Sequence, residues 1–287
     1  MSEVPSSLDS NATTARLSGA LDAVEQTISY LRATTQKVPT VSGPNLPGDG
    51  QYVACDELID NPDWLRSVID HTGHQLGTSD PMVAASLFVQ SYSYRVLTLA
   101  VACATISGIV PESSAQSMAI ALKGGRVSLV AYTHPEILVI DETDQPLSMS
   151  LVSEGQLESM FDFIHARAID AHLAKLIDAT RSTTRIGERL LWGNVAASLA
   201  VAFRTMEGSL GPWVEEVGTY FVDHAPTRLR GLGSFLTLEN DGRRGWFWER
   251  TNCCLYDRLP GGVRCSDCSR TPIKIRREAY RISLEGS

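Results

Sequence analysis

The chain lacks the usual marks of export and of the common cofactor folds. MSEVPSSLDSNATTAR, at its start, has no basic stretch followed by an apolar core, so no secretory signal is expected. There is no phosphate-cradling GxxxxGK(S/T), no zinc-protease HExxH and no GxSxG nucleophile elbow. Gly48 with Gly50, and Gly231 with Gly233, form partial GxG patterns, but neither follows a clear strand and opens a helix, which argues against a dinucleotide site. A protein of this kind that handles electrons would receive them from another protein. No internal repeat is evident. Charge is missing between Pro81 and Pro111 apart from Arg95, and VLTLAVACATISGIV (96–110) is wholly uncharged. That run is shorter than the roughly 20 residues a spanning helix needs and carries Thr and Ser, so it predicts buried core helices and no transmembrane segment.

What is present is ordinary globular composition: 287 residues, 43% hydrophobic and 20% charged, enough to bury a real core. A chain of this size does not need the disulfides that staple small secreted domains, and the expected compartment is the cytoplasm, where thiols stay reduced. Peripheral contact with the inner face of the membrane is left open. The net charge of −8 argues against a nucleic-acid partner, yet it is uneven. Residues 243–287 hold ten basic and five acidic side chains, leaving −13 for the rest.

Residues 1 to about 15 read as disordered, ALDAVEQTISYLRATT as an amphipathic helix, and TVSGPNLPGDG (40–50) as a linker. RVSLVAY (126–132) and EILVIDE (136–142) are β-rich and predict a hairpin or two neighbouring strands. Helical spacing returns over 157–181 and again over about 186–207. The expected fold class is α+β: a mainly helical body with a small antiparallel sheet and a loop-rich C-terminal segment. The expected divisions are 1–50 (helix and linker), 51–242 (body) and 243–287 (tail). Two histidine pairs, His71 with His74 and His165 with His172, could in principle bind metal; a surface loop for the first and local hydrogen bonds for both are the simpler expectation. Cys103 reads as a small core residue, and Cys55 has no partner nearby in sequence.

Four of the six cysteines crowd into NCCLYDRLPGGVRCSDCS (252–269), spaced CC-x10-CxxC. The Cys265/Cys268 half is a chelating turn, and Pro260, Gly261 and Gly262 supply a tight bend that folds the two halves together. Structural zinc prefers two separated pairs. A two-iron cluster is roomier, so the adjacent Cys253 and Cys254 tilt toward it while leaving zinc open. Leading into them, GRRGWFWERTN brings Arg243, Arg244, Trp246, Trp248 and Arg250, as anchors of the tail, as substrate contacts, or as both.

CC-x10-CxxC behind this Arg- and aromatic-rich lead resembles the signature of the FhuF-like ferric-siderophore reductases, and LLWGNVAASLA (190–200) resembles that family's central helix. The resemblance implies a 2Fe-2S cluster on Cys253, Cys254, Cys265 and Cys268. It also implies cytosolic one-electron reduction of iron(III) held by a siderophore, often of the hydroxamate class, with electrons from a ferredoxin or a flavoprotein. Substrate would sit against the helical body beside the cysteine loop. The alternatives are a zinc-stapled module binding a siderophore or a protein without redox activity, and an iron-sulfur carrier or sensor. Arginines near the cluster would raise its potential, whereas tightly held iron(III) demands a low one, so solvent exposure or outward-pointing guanidiniums are expected to limit them.

Overall fold

Asp9 opens the first helix, its carboxylate accepting from the Asn11 N–H, and α1 runs Ser10–Thr27 with Leu17, Leu21 and Val24 turned inward. The computed structural model describes residues 9–43, 46–141 and 152–285. Residues 1–8 of the expected polar start and 44–45 of the linker lie outside them. The helix begins earlier than its sequence suggests and also ends earlier, because Arg32–Thr34 leaves it to become β1, hydrogen-bonded in parallel to a later strand. Here a sheet ladder outcompetes helical spacing.

After β2 (Tyr52–Ala54) come α2 (Cys55–Asp60) and α3 (Pro62–Gln75). Asn61 caps α3 at the Trp64 N–H, and Pro62 fills the first turn, where its missing donor costs nothing. DHTGH is therefore helical and not a surface loop; Gly73 lets the helix press against Thr78 and Ala84. Next is α4 (Pro81–Ser107), capped by Asp80 at the Met82 and Val83 N–H groups and stopped by Gly108 at φ 63°. Among the described residues α4 alone is long and apolar enough to cross a membrane, but 72% of its most apolar window is buried inside the protein. It is the central core helix, which is why its sequence shows no polar face.

The strands are β3 (Ile109–Pro111), β4 (Met118–Lys123), β5 (Arg126–Tyr132) and β6 (Ile137–Val139). The two β-rich runs do not pair with each other. RVSLVAY forms a hairpin with β4 through Gly124 and Gly125, while β6 pairs with β3. The larger sheet has the order β1-β5-β4-β2, antiparallel except for β1.

The helical spacing over 157–181 is realised as α5 (Glu154–Ile164), a π-helical stretch His165–Leu173, and α6 (Ala174–Thr184). Then follow α7 (Glu188–Leu210) and α8 (Trp213–Asp223), the β7 (Gly233–Asn240) and β8 (Arg243–Arg250) hairpin, and α9 (Ile273–Glu285). The fold is α+β and mainly helical. Its centre is the pairing of α4 with α7, where small and hydroxyl residues allow close approach and Ser93 Oγ lies 3.0 Å from Ser198 Oγ.

Candidate functional site

The segment leading to the cysteines is fixed by alternation along β8. Trp246 and Trp248 face the main core, with Phe235 of β7 stacked on Trp246 at 3.8 Å and edge-on to Trp248 at 5.0 Å. Phe247 points the other way and stacks on Tyr280 of α9 at 4.5 Å. Both tryptophans are buried, so in this arrangement they anchor the tail. Arg243 donates to the Leu284 and Glu285 carbonyls at the end of α9, and Arg244 pairs with Glu215 of α8. Most other tail arginines also have carboxylate partners: Arg258 with Asp80, Arg264 and Arg270 with Asp257, Arg277 with Glu249, and Arg281 with Glu278.

Arg250 differs. It is 3% exposed, and its Nη2 donates to Asn194 Oδ1 at 2.9 Å. Asn194 in turn donates to the carbonyl and hydroxyl of Ser86 on α4, and Ser86 Oγ donates to the Cys254 carbonyl at 2.7 Å. A buried relay thus ties the two central helices to the adjacent cysteines. One residue along, Asn252 Nδ2 donates to the Leu190 carbonyl, and a Cβ at Gly193 would overlap the Asn252 carboxamide. The Gly193-Asn194 step of α7 is therefore the dock for the loop. Neither residue, nor Ser86, stands out as chemical in the sequence; the resemblance of LLWGNVAASLA to the family helix was the available signal.

Beyond the dock the chain turns sharply. Leu255 sits at φ 65°, Tyr256–Arg258 make one 3-10 turn, and Gly261 has φ 71°. A Cβ on Gly262 would collide with the Tyr256 carbonyl, so the Pro-Gly-Gly bend expected from sequence is required. The CxxC turn is closed by the Cys268 N–H donating to the Cys265 carbonyl at 3.1 Å.

These turns bring the two halves together. Cys254 Sγ and Cys265 Sγ lie 3.9 Å apart, and the Cys253 thiol feels both Cys268 and Cys254. Two thiolates on one tetrahedral metal at about 2.3 Å would stand about 3.8 Å apart, so the first pair has the bite of a metal. The hydrogen bond from Cys265 draws the Cys254 thiol down to about 6 against its burial, helped by the Tyr256 backbone N–H and the Arg250 charge; the same bond pushes Cys265 up. Burial raises Cys253, countered by the Leu255 N–H, which donates to its sulfur at 3.3 Å.

The donor set fits an iron-sulfur cluster. It offers four soft sulfurs, and the site is also rich in unpartnered buried donors. Of the eight buried side-chain N and O atoms without a partner among the described residues, four flank this loop: Trp248 Nε1, Arg250 Nε, Asn252 Oδ1 and Arg276 Nε. Three of those are N–H groups, and of them Arg250 is the one whose charge acts on Cys254 and Cys265, as suits sulfur acceptors carrying negative charge. Among the described residues no three His, Cys, Asp or Glu side chains, these cysteines included, converge around one point as ligands of a single ion, and the close sulfur pair is Cys254 with Cys265.

The remaining candidates are elsewhere. Cys55 and Cys103 are fully buried, and burial pushes each thiol up to about 12, the behaviour of inert core residues. His172 is buried with Nδ1 against the Ser113 carbonyl and Nε2 2.7 Å from the Tyr92 hydroxyl, while His165 packs edge-on to Phe221. Beside the cysteine loop lies a cavity of about 580 Å³ between α4, α7 and the β4–β5 hairpin, with Tyr256 on its wall.

A search of curated proteins finds no significant match. Among solved structures, aerobactin synthetase IucA from a hypervirulent pathotype of Klebsiella pneumoniae superposes with TM-score 0.54 at 12% identity over 80% of this chain. Its ATP-bound form gives the same score at 13% identity. This chain spans 45% of those chains' length, and the likeness is one of fold. Family models are more specific. One described as "Ferric iron reductase FhuF-like transporter" matches residues 86–232, from Ser86 through α7 to the start of the final hairpin, and one described as "FhuF 2Fe-2S C-terminal domain" matches 250–270, the whole cysteine loop. Together they cover the central helices, the dock and the thiols, and the chain belongs to the FhuF-like ferric iron reductase family, with a 2Fe-2S cluster as its cofactor.

Proposed function

We propose that Cys253, Cys254, Cys265 and Cys268 hold the 2Fe-2S cluster and that the protein is a ferric-siderophore reductase, delivering one electron to siderophore-bound iron(III) so that iron(II) is released for the cell. The close approach of Cys254 and Cys265 across the Pro-Gly-Gly bend carries this reading, because it makes two sequence-distant thiols a ready bidentate pair. When bound, the cluster supplies a one-electron couple whose potential follows charge, hydrogen bonding and exposure. The chain's own part is to hold and tune it. Backbone N–H groups of Leu255 and Tyr256 lie on the sulfurs, Arg250 adds buried positive charge that acts on Cys254 and Cys265, and the buried Arg276 donates to the Arg250 and Asp267 carbonyls. The carboxylate partners of the outer arginines cancel most of the remaining tail charge, which answers the need for a low potential. Siderophore oxygens are hard donors that favour iron(III), so reduction is the step that loosens the metal. Electrons would come from a ferredoxin or flavoprotein in a reducing cytoplasm.

The test is anaerobic absorption and EPR spectroscopy with iron analysis of purified variants. Cys254→Ser is expected to lose or destabilise the cluster and Cys103→Ser to retain it. Equal iron and sulfide in both, or a colourless protein holding one zinc, would overturn the assignment.

A further inference from the structure

The cavity beside the cysteine loop differs electrostatically from the rest of the molecule. Its volume of about 580 Å³ lies within the roughly 300–1,000 Å³ range of small-molecule sites. Arg95, Lys123 and Arg126 stand on its wall, and no Asp or Glu lines it, in a protein whose net charge is −8. Among the described residues none of the three cations has a carboxylate within ion-pair distance, whereas nearly every exposed arginine of the tail does. Arg95 is held in place by neutral acceptors, its Nε donating to the Val127 carbonyl at 3.2 Å and its Nη1 to the Tyr30 carbonyl at 2.6 Å. Three cations left uncompensated around one concavity attract an anion, and partial burial strengthens the attraction relative to open water.

The cavity also reaches the thiols. Tyr256 lines it, and the backbone N–H of the same residue lies on the Cys254 sulfur. Ser86, which holds the Cys254 carbonyl, is one turn before Gln90, another wall residue of α4. A molecule in the cavity therefore touches the residue that contacts a cysteine.

Resting on the reductase reading above, we propose that this cavity seats the ferric siderophore and selects complexes of net negative charge, with Arg95, Lys123 and Arg126 as its specificity-determining residues. Iron(III) bound by three monoanionic hydroxamates is neutral at its core. The net charge is then set by other groups, so the class favoured here carries carboxylate or catecholate groups beyond those needed to neutralise the metal. Turnover moves one electron from the reduced cluster to the seated iron(III), giving the iron(II) complex and the oxidised cluster, with no bond made or broken on the siderophore itself.

The experiment uses the holoprotein and one linear trihydroxamate in three forms: terminal amine free, acetylated, or succinylated. Its complexes are then cationic, neutral or anionic with identical metal coordination. Gallium(III) complexes, which cannot be reduced, report binding by calorimetry; the iron(III) complexes report oxidation of the reduced cluster by stopped flow. The anionic gallium complex is expected to bind about tenfold tighter than the cationic one. The gap should shrink with added salt and in the Lys123→Gln/Arg126→Gln variant, both of whose positions are exposed and tolerant of change. Equal affinity for the three charges, or a gap untouched by the double variant, overturns the site. If all iron complexes oxidise the cluster at one rate and none of the gallium complexes binds, the cavity assignment fails and the reductase reading survives. If gallium binding follows charge but no iron complex oxidises the cluster, the site stands and the reductase reading fails.

Discussion

Arg250 is the cation of the tail most deeply committed to the cysteines. The outer arginines have half-exposed guanidiniums, each paired with a carboxylate, so their charge is compensated locally and screened. Arg250 and Arg276 are buried, and no ion pair to either is found among the described residues. A buried charge near a redox centre acts through a low effective dielectric, so removing it should be felt at the cluster. Arg250→Gln is expected to lower the reduction potential by on the order of tens of millivolts, while Arg250→Lys keeps most of it. Spectroelectrochemical titration decides: an unchanged or raised potential in the Gln variant would mean that Arg250 serves only to hold Asn194. The CC-x10-CxxC pattern was legible in the sequence because spacing is a local property. Arg250 was visible as a candidate, but not its partners Asn194 and Ser86, which lie 56 and 164 positions away and meet it only through packing of α4, α7 and β8.

Among the elements, α7 does the positioning. Gly193 looks like a weak point in a helix, where glycine costs about 1 kcal/mol relative to alanine. Its absent Cβ is what admits Asn252 and lets the loop lie against α7. Gly193→Ala is accordingly expected to gain helix propensity and still lose overall, by about 1–3 kcal/mol from overpacking. Far-UV circular dichroism should stay near wild type while cluster iron falls; full iron loading with wild-type stability would show that the loop docks by other contacts. The elements that sequence reading placed well were those with strong periodicity, α7 above all. It missed β4, whose continuous apolar run MAIALK resembles a buried helix segment, and it overextended α1 because β1 is decided by hydrogen bonds to β5, nearly a hundred residues later. The pairing of β5 with β4 is a local hairpin that went unread once β4 was missed, whereas that of β6 with β3 is a long-range outcome that runs of β-formers do not specify.

At the scale of the whole molecule, one core holds α1, the central helices and the tryptophans of the tail, so the stability of the body and the geometry of the site are linked. His172 gives that link a pH dependence. It is fully buried at the end of the π-helical stretch, and burial pulls its pKa from 6.5 down to about 4 even though the Ser113 carbonyl accepts from its Nδ1–H. The unfolded chain therefore binds the proton more readily than the folded one. Stability from this residue is complete above about pH 6.5 and is lost as the pH falls toward 4, by on the order of 3 kcal/mol. Denaturant melts across that window should show a smaller decline for His172→Gln than for wild type; parallel declines would remove His172 as the cause.

The family relationship covers the central helices and the cysteine loop, and on the proposed function the two act together as a one-electron reductase. A single-turnover reaction tests it most directly. Chemically reduced holoprotein, freed of excess reductant, is mixed anaerobically with a ferric siderophore while the EPR signal of the reduced cluster and the iron(II) released to a chelator are followed together. The signal is expected to disappear as about one iron(II) forms per cluster, and a Cys254→Ser sample to do neither. A cluster that stays reduced beside intact ferric siderophore would contradict it.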